Sequence, residues 1–247
     1  MNTRPASPSD APRPEAVAQA GHPGNTAATL STTWRIVAGF EVVLAGVTVA
    51  FDLWVPTLIL LALAAVSLLI RRQGPRTLGL EKPDAGRWWP LEILGFAVAW
   101  TLVTIGLTIP VLEHLSGQRQ DVSQFAAVQG NLGLLALLLA FSWTLGAIGE
   151  EVAYRGFLLT RLQEAIGGRQ AGPAAIVIAA IATALLFGWA HNEQGMIGIV
   201  TTCLDALFFT WLRFRYRSLW AAVLAHGFNN TIGLVAYFLV GPIYGLW

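Results

Sequence analysis

Long uninterrupted apolar runs constrain the fold of this chain more than any other feature of its sequence. After Trp34, several runs approach or reach the roughly 17–25 residues that a helix needs to cross a bilayer core of about 30 Å. In lipid, only helices and closed β-barrels satisfy the backbone hydrogen bonds, and barrel strands would alternate in polarity over shorter segments. The runs therefore predict helical spans over Arg35–Leu53, Val55–Ile70, Leu91–Leu112, Leu132–Ile148, Ala174–Ala190, Met196–Leu212 and Leu219–Val240.

Composition agrees with a membrane protein. Hydrophobic residues make up 55% of the chain, charged residues only 12%, and the mean hydropathy is +0.60, which excludes an ordinary soluble domain. The net charge of +1 offers no basic surface for nucleic acid, so the lipid bilayer is the expected partner. We predict an all-α, polytopic bundle of seven or eight transmembrane helices in the cell membrane, a multi-pass protein, with Glu150–Ile166 as the candidate eighth helix.

The first 33 residues have a different composition. Prolines are scattered among Ala, Ser, Thr and Gly, and such a segment is expected to be a disordered tail. It lacks the basic start and immediate apolar core of a cleaved signal peptide, so the first helix is expected to stay in the membrane. The predicted division is a tail over residues 1–33 and a helical bundle over residues 34–247.

Basic residues indicate the topology, because short cytoplasmic loops are rich in Lys and Arg. The loop after the second span is the richest and is predicted to lie inside, together with the N-terminus; it carries Arg71, Arg72, Arg76, Lys82 and Arg87. Two arrangements stay open for the C-terminal half. If the chain runs on past Gly146 and Gly149, Arg161, Arg169 and the later basic cluster fall inside; if it turns back there, that cluster falls outside. The cluster is Arg213, Arg215 and Arg217.

Three small polar islands interrupt the apolar helices. They are Glu150-Glu151-Val152-Ala153-Tyr154-Arg155, then Phe187 with His191, then His226 with Asn229 and Asn230. Ionisable groups are costly at membrane depth and survive mainly where they pair, line a cavity or do chemistry. We predict that the three islands meet in one active site, because carboxylate, imidazole and amide groups together can carry out hydrolysis.

The spacing within the first island predicts different surroundings for its two carboxylates. Glu151 and Arg155 are four residues apart and face each other on a helix, which predicts a buried ion pair. Glu150 points about 100° away from Glu151 and is free to face a cavity. Glu150 is therefore the predicted general base.

The other two islands repeat a four-residue spacing. His191 shares a helix face with Phe187, and His226 shares one with Asn230, so both histidines and Asn230 are predicted site residues. Asn229 stays a rival of Asn230, since an amide can also bind a neighbouring helix. A further acidic residue of the apolar helices, Asp205, is predicted to be a buried partner for an arginine.

The spacing Glu-Glu-x-x-x-Arg, Phe-x-x-x-His and His-x-x-x-Asn, in that order, resembles the CPBP family, which comprises CAAX-processing proteases and bacteriocin-processing or Abi-type membrane proteins. The resemblance covers roughly residues 132–239. It implies that Glu150 activates water together with His191, that His226 and Asn230 stabilise the oxyanion, and that Glu151 and Arg155 brace the site. Phe187 belongs to the second motif and is expected to support it.

The resemblance implies an intramembrane endopeptidase acting on a membrane-associated peptide or protein, with a prenylated CAAX peptide as one candidate. The metal stays open. Glu150, His191 and His226 could bind catalytic zinc, in which case Glu151 could supply the base. The same residues could equally act without metal, with Glu150 taking the proton. We favour the metal-free reaction, because Glu150 is better placed as base than as ligand.

Two other classes of function are compatible with part of this pattern. A proton-coupled transporter would also keep Glu and His in the membrane, but no internal repeat or paired broken helices are visible in the sequence. A non-catalytic membrane scaffold or bacteriocin self-immunity protein is the stronger alternative. It would tolerate Glu150→Ala, whereas a hydrolase would not.

Overall fold

The computed structural model describes residues 32–167 and 172–242, and this part of the chain folds into seven helices. Their bounds are α1 Thr32–Ala50, α2 Pro56–Ile70, α3 Trp89–Ser116, α4 Leu132–Gly167, α5 Pro173–Trp189, α6 Gly195–Tyr216 and α7 Leu219–Val240. The predicted all-α bundle is confirmed over the described residues, and five of its helical stretches are long and apolar enough to cross a membrane. Nearly all of the predicted N-terminal tail, and Arg169, lie outside the described residues.

Local sequence explains where several helices begin. Pro56 and Pro173 occupy first-turn positions, where the missing N–H would have no helical partner. The Asn131 side chain caps α4 by accepting a hydrogen bond from the Leu134 N–H, and the Ser218 hydroxyl caps α7 by accepting one from the Trp220 N–H. These signals place the starts of four helices close to the boundaries of the apolar runs.

Helix α4 corrects one prediction. The candidate eighth helix, Glu150–Ile166, is not separate: Leu132–Gly167 is one continuous helix. Its middle, Ser142–Leu158, has π-helical geometry, in which the N–H bonds to the carbonyl five residues back, as in Leu159 to Tyr154. The wider turn lets the chain continue through Gly146 without a break.

Gly146 and Gly149 of α4 allow close packing of neighbouring helices and do not mark a break in the helix. A Cβ on Gly146 would sit 3.5 Å from Nδ2 of Asn230 on α7. A Cβ on Gly149 would contact Thr57 and Leu61 of α2 at 3.6 Å. Small residues allow helices to approach closely in membrane proteins, and here they bring α4 against two neighbours.

Helix α7 is the centre of the bundle and packs against α3, α4 and α6. Gly227 of α7 lies directly against the Trp143 ring of α4. On the other side of the bundle, α5 crosses α6 at Gly188, where a side chain would collide with Cys203. The polar islands on α4, α5 and α7 are held together by these crossings.

The outer surface is apolar. Large hydrophobic side chains such as Phe40, Leu102, Leu132 and Leu239 are more than 60% exposed. Within the described residues, five helical stretches are long and apolar enough to cross a membrane, and α2 and α5 are shorter apolar helices. The bundle thus has the surface of an integral membrane protein.

The connections separate the bundle into two ends. The loop between α2 and α3 meets the turn before α7, where the Leu219 N–H donates to the Gly79 carbonyl at 2.8 Å. This end, called the basic end below, carries ten basic side chains of the described chain: Arg35, Arg71, Arg72, Arg76, Lys82, Arg87, Arg161, Arg213, Arg215 and Arg217. The continuous α4 therefore yields the arrangement in which Arg161 and the later basic cluster share an end with the loop after α2.

At the basic end a network of four charged side chains joins α1, α2 and α4. Arg71 contacts Glu41 and Glu164, each at 2.9 Å, and Arg161 contacts the same two carboxylates at 3.2 and 2.8 Å. Both arginine side chains are almost fully buried. We call this set the ionic clamp.

Candidate active site

A cavity of about 630 Å³ lies between α3, α4, α5, α6 and α7. Each predicted island contributes to its lining: Glu150 from α4, Phe187 and His191 from the end of α5, and His226 and Asn230 from α7. Residues that are up to 80 positions apart in the sequence thus meet in one place, and the volume is in the range of known ligand sites.

The two adjacent glutamates have different surroundings. Glu150 lines the cavity, and 21% of its side-chain surface stays exposed. Glu151 is fully buried, and its Oε1 lies 3.0 Å from Nη1 of Arg155, which confirms the predicted pair. Because Glu151 does not line the cavity, it is not placed to act as the base in the zinc alternative.

His226 bridges these two carboxylates. Its Nδ1 lies 2.9 Å from Oε1 of Glu151, and its Nε2 lies 3.9 Å from Oε2 of Glu150. A carboxylate accepts hydrogen bonds, so Nδ1 carries the proton and Nε2 faces Glu150 and the cavity. The ring also stacks on Phe209 at 4.9 Å between centroids, which fixes its orientation.

A backbone carbonyl group orients the His191 ring. Its Nδ1 lies 2.8 Å from the carbonyl oxygen of Phe187, and because a carbonyl only accepts, Nδ1 is the donor and Nε2 is free. The rings of Phe187 and His191 are 4.8 Å apart, as their shared helix face predicts. In both imidazoles, therefore, the Nδ1–H group is held by a hydrogen bond, and Nε2 makes none within the described chain.

Phe187 connects the two histidines to the buried ion pair. The Arg155 guanidinium lies over the Phe187 ring at 4.1 Å, and Tyr154 packs edge-on against the same ring at 4.9 Å. Arg155 is 1% exposed, and its contacts are with Glu151, with the Phe187 ring and, at 5.6 Å, with the Phe209 ring. The supporting position predicted for Phe187 and Arg155 agrees with this geometry.

The two neighbouring asparagines differ in what they contact. Both line the cavity, but the Asn229 side-chain oxygen accepts a hydrogen bond from the Thr101 hydroxyl at 2.8 Å. Asn230 makes no side-chain hydrogen bond within the described chain, and its amide nitrogen lies beside Gly146. Asn229 is thus tied to α3, whereas the Asn230 amide is available to a bound molecule.

Asp205 of α6 was expected to pair with an arginine, and that prediction is wrong. Its Oδ1 accepts a hydrogen bond from the indole Nε1 of Trp100 at 2.6 Å, and it forms no ion pair with a described residue. Asp205 lines the cavity together with Glu150. An acidic residue in an otherwise apolar helix was the available signal, because such residues usually face an interior cavity.

The cavity reaches the end of the bundle opposite the basic end. There, the loop between α3 and α4 binds the turn before α6: the Asp121 N–H donates to the Gln194 carbonyl at 3.0 Å, and the Gln120 amide donates to the Gln194 side chain at 2.9 Å. Hydrogen bonds from Ser123 lower the pKa of Asp121 in this loop. Gln120, Gln194 and the exposed Glu193 line the cavity at this mouth.

A catalytic zinc site needs three protein ligands close together. No group of three or more His, Cys, Asp or Glu side chains in the described chain is arranged to hold a metal ion. Glu150, His191 and His226, the set predicted for zinc, line one cavity but are not grouped in that way.

Apolar helices around a buried cavity with a carboxylate, two imidazoles and amides define an integral membrane protein with a polar site between its spans. Residues 132–232 match the family model described as "Type II CAAX prenyl endopeptidase Rce1-like". The match confirms, over this range, the CPBP and CAAX protease family that the three motifs indicate, and it includes all seven predicted site residues. At the family level it supports an intramembrane endopeptidase.

Searches of curated proteins and of solved structures gave no match to this chain.

Proposed function

We propose that the protein is a glutamate-type intramembrane endopeptidase that cleaves a peptide bond of a membrane-associated substrate in this cavity. The observation that carries the proposal is the relation of Glu150 to the two histidines. Glu150 lines the cavity, and the Nδ1 of His191 and of His226 is bound elsewhere, which leaves both Nε2 atoms available. Such preorganised groups are what water activation and oxyanion stabilisation need.

In the proposed reaction the Glu150 carboxylate takes a proton from water, and the water oxygen attacks the carbonyl carbon of the scissile bond. His191 positions that water by accepting its second hydrogen at Nε2. When the carbon–nitrogen bond breaks, Glu150 gives its proton to the leaving amine. Each proton and electron pair is thereby accounted for without a further reactant.

The oxyanion of the tetrahedral intermediate is assigned to His226 and Asn230. Asn230 donates from its amide, and His226 donates from Nε2 in its imidazolium form. The Glu151 carboxylate accepts a hydrogen bond from Nδ1 at 2.9 Å and stabilises that form, and Arg155 holds the carboxylate in place. Glu151 and Arg155 are therefore positioning residues in this proposal.

We propose a metal-free reaction. The support is the donor set, since Glu151 has no access to the cavity and a zinc ligand role for Glu150 would leave the site without a base.

We propose that the protein is a multi-pass protein of the cell membrane and that its basic end lies in the cytoplasm, following the positive-inside rule. The mouth of the cavity lies at the other end and would then face away from the cytoplasm. The family description makes prenylated CAAX peptides a substrate class to be tried first.

The test is cleavage of a peptide library by protein purified in detergent, with and without chelator, alongside Glu150→Gln and the matched variant Glu164→Gln. Cleavage by the wild type and by Glu164→Gln in the presence of chelator, lost in Glu150→Gln, is the expected result. Wild-type turnover by Glu150→Gln would remove Glu150 as the base. A folded wild-type protein that cleaves no peptide would favour the scaffold or self-immunity alternative.

A further inference from the structure

Asp205 is a second carboxylate in the cavity that the proposed reaction does not use. It belongs to the same lining as Glu150 and Phe209. Trp100 donates to one of its oxygens at 2.6 Å, and the Trp100 ring is held by stacking on Phe208 at 4.6 Å. The carboxylate is thus fixed in position by α3 and α6 while it faces the cavity.

No cation of the described chain contacts Asp205, and Arg155 acts on it only at long range. Asp205 forms no ion pair, and no Lys or Arg is among the described residues that line the cavity. The other ionisable groups in that lining are the carboxyl groups of Glu150 and Glu193, the imidazoles of His191 and His226, and the Tyr237 phenol. Apart from the two imidazoles, no described side chain of the lining can carry a positive charge.

The ionic clamp shows how this protein treats carboxylates that serve structure. Glu41 and Glu164 each contact two arginines at 2.8–3.2 Å. A buried carboxylate without such a partner is costly, and at membrane depth it usually marks a ligand pathway or site. Asp205 therefore has the properties of a residue that receives a cation from outside the chain.

We propose that the cavity selects peptide segments that carry a positive charge near the scissile bond, a lysine or arginine side chain, and that Asp205 is the specificity-determining residue. This inference rests on the proposed peptidase function and names its substrate class. The incoming ammonium or guanidinium pairs with the Asp205 oxygen that Trp100 does not bind. The acidic mouth at Glu193 attracts the same charge.

The test measures binding and cleavage separately. Short apolar peptides that are identical except for lysine, norleucine or glutamate at one central position are titrated against the purified protein. The variants are Asp205→Asn, whose side-chain oxygen still accepts from Trp100, and Trp100→Phe, which removes that donor and keeps the charge. Dissociation constants and kcat/KM are determined for each peptide.

Wild type and Trp100→Phe should bind the lysine peptide roughly 10- to 100-fold more tightly than the norleucine peptide, the factor expected for a hydrogen bond to a charged group. Asp205→Asn should lose this preference and keep the affinity for norleucine. Equal binding of lysine and norleucine peptides by the wild type would overturn the inference whether or not cleavage occurs. Selective binding without cleavage would instead count against the proposed reaction.

Discussion

Two clusters of buried charge lie in this bundle, and they are built differently. In the ionic clamp, two arginines face two glutamates, and every carboxylate has two cationic partners. Around the cavity, the carboxylates of Glu150, Glu151 and Asp205 share one guanidinium, that of Arg155. The clamp has one guanidinium for each carboxylate, whereas the cavity cluster has three carboxyl groups and one guanidinium.

The difference in ion pairing indicates that the ionic clamp stabilises the fold and that the cavity cluster serves the proposed reaction. A network of close ion pairs holds α1, α2 and α4 together at the basic end and leaves little carboxylate surface free. An uncompensated carboxylate in a cavity costs stability, and a protein retains it where the charge is used. The comparison predicts that changes in the clamp alter stability and changes in the cavity alter turnover.

The largest effect is expected for Glu150→Gln. Removing a general base should lower the turnover rate by about 10²–10⁴-fold, with the melting temperature in detergent unchanged or raised, since no ion pair of the clamp type is lost. The matched change Glu164→Gln should lower the melting temperature and leave turnover per folded molecule intact. Kinetics and thermal unfolding of both variants check this pair, and the reverse pattern would break the comparison.

Arg155→Ala and Arg161→Ala test whether the loss of a buried arginine lowers only stability or lowers turnover as well. Arg155→Ala leaves the buried Glu151 without its arginine, which typically costs about 3–5 kcal/mol. Arg161→Ala leaves Arg71 in contact with Glu41 and Glu164, so it should lower the melting temperature by less. Only Arg155→Ala should also lower turnover, because Glu151 then no longer holds His226 correctly. If Arg155→Ala keeps the wild-type melting temperature and loses only activity, Arg155 acts in catalysis and not in bracing.

The two asparagines provide a narrower comparison inside the cavity. Losing one oxyanion donor typically costs about 10²–10³-fold in turnover, so Asn230→Ala should lower kcat by that factor with KM nearly unchanged. Asn229→Ala should leave kcat near wild type, because its side chain is engaged by Thr101. Steady-state kinetics distinguish them, and full activity of Asn230→Ala would remove that residue from the site.

The smallest effect is expected for Thr101→Val. The change removes the hydroxyl that joins α3 to Asn229 and should cost about 0.5–1.5 kcal/mol, the usual contribution of one hydrogen bond. Turnover should stay within about twofold, since no group of the proposed reaction is altered. Thermal unfolding in detergent measures the loss; a large fall in kcat would show that Asn229 takes part after all.

Much of the fold and of the site could be predicted from local spacing. Apolar runs gave six of the seven helices to within a few residues, because lipid leaves helices as the main option. The exception is α4, which continues from the predicted end at Ile148 to Gly167. The four-residue spacing of Glu151 with Arg155, and of Phe187 with His191, correctly predicted contacts within one helix. Such pairs depend only on helical geometry, which the sequence encodes directly.

Features that join distant helices could not be predicted in the same way. The clamp combines Glu41, Arg71 and Arg161 from three helices, and the partner of Asp205 proved to be Trp100 on α3. Gly146 suggested a break, but tertiary packing against Asn230 explains it better, and π-helical turns carry the chain onward. These outcomes depend on how helices cross, for which one sequence offers no periodic signal.

The central claim is that Glu150 activates water in this cavity without a metal. Its most direct test is a single-turnover cleavage in ¹⁸O-labelled water, using protein shown to be metal-free by elemental analysis. The account predicts that the new carboxylate of the product carries one ¹⁸O atom in the first turnover, and that Glu150→Gln forms almost no product. An unlabelled first-turnover product, which would indicate attack by a protein carboxylate, or cleavage that returns only when zinc is added, would contradict it.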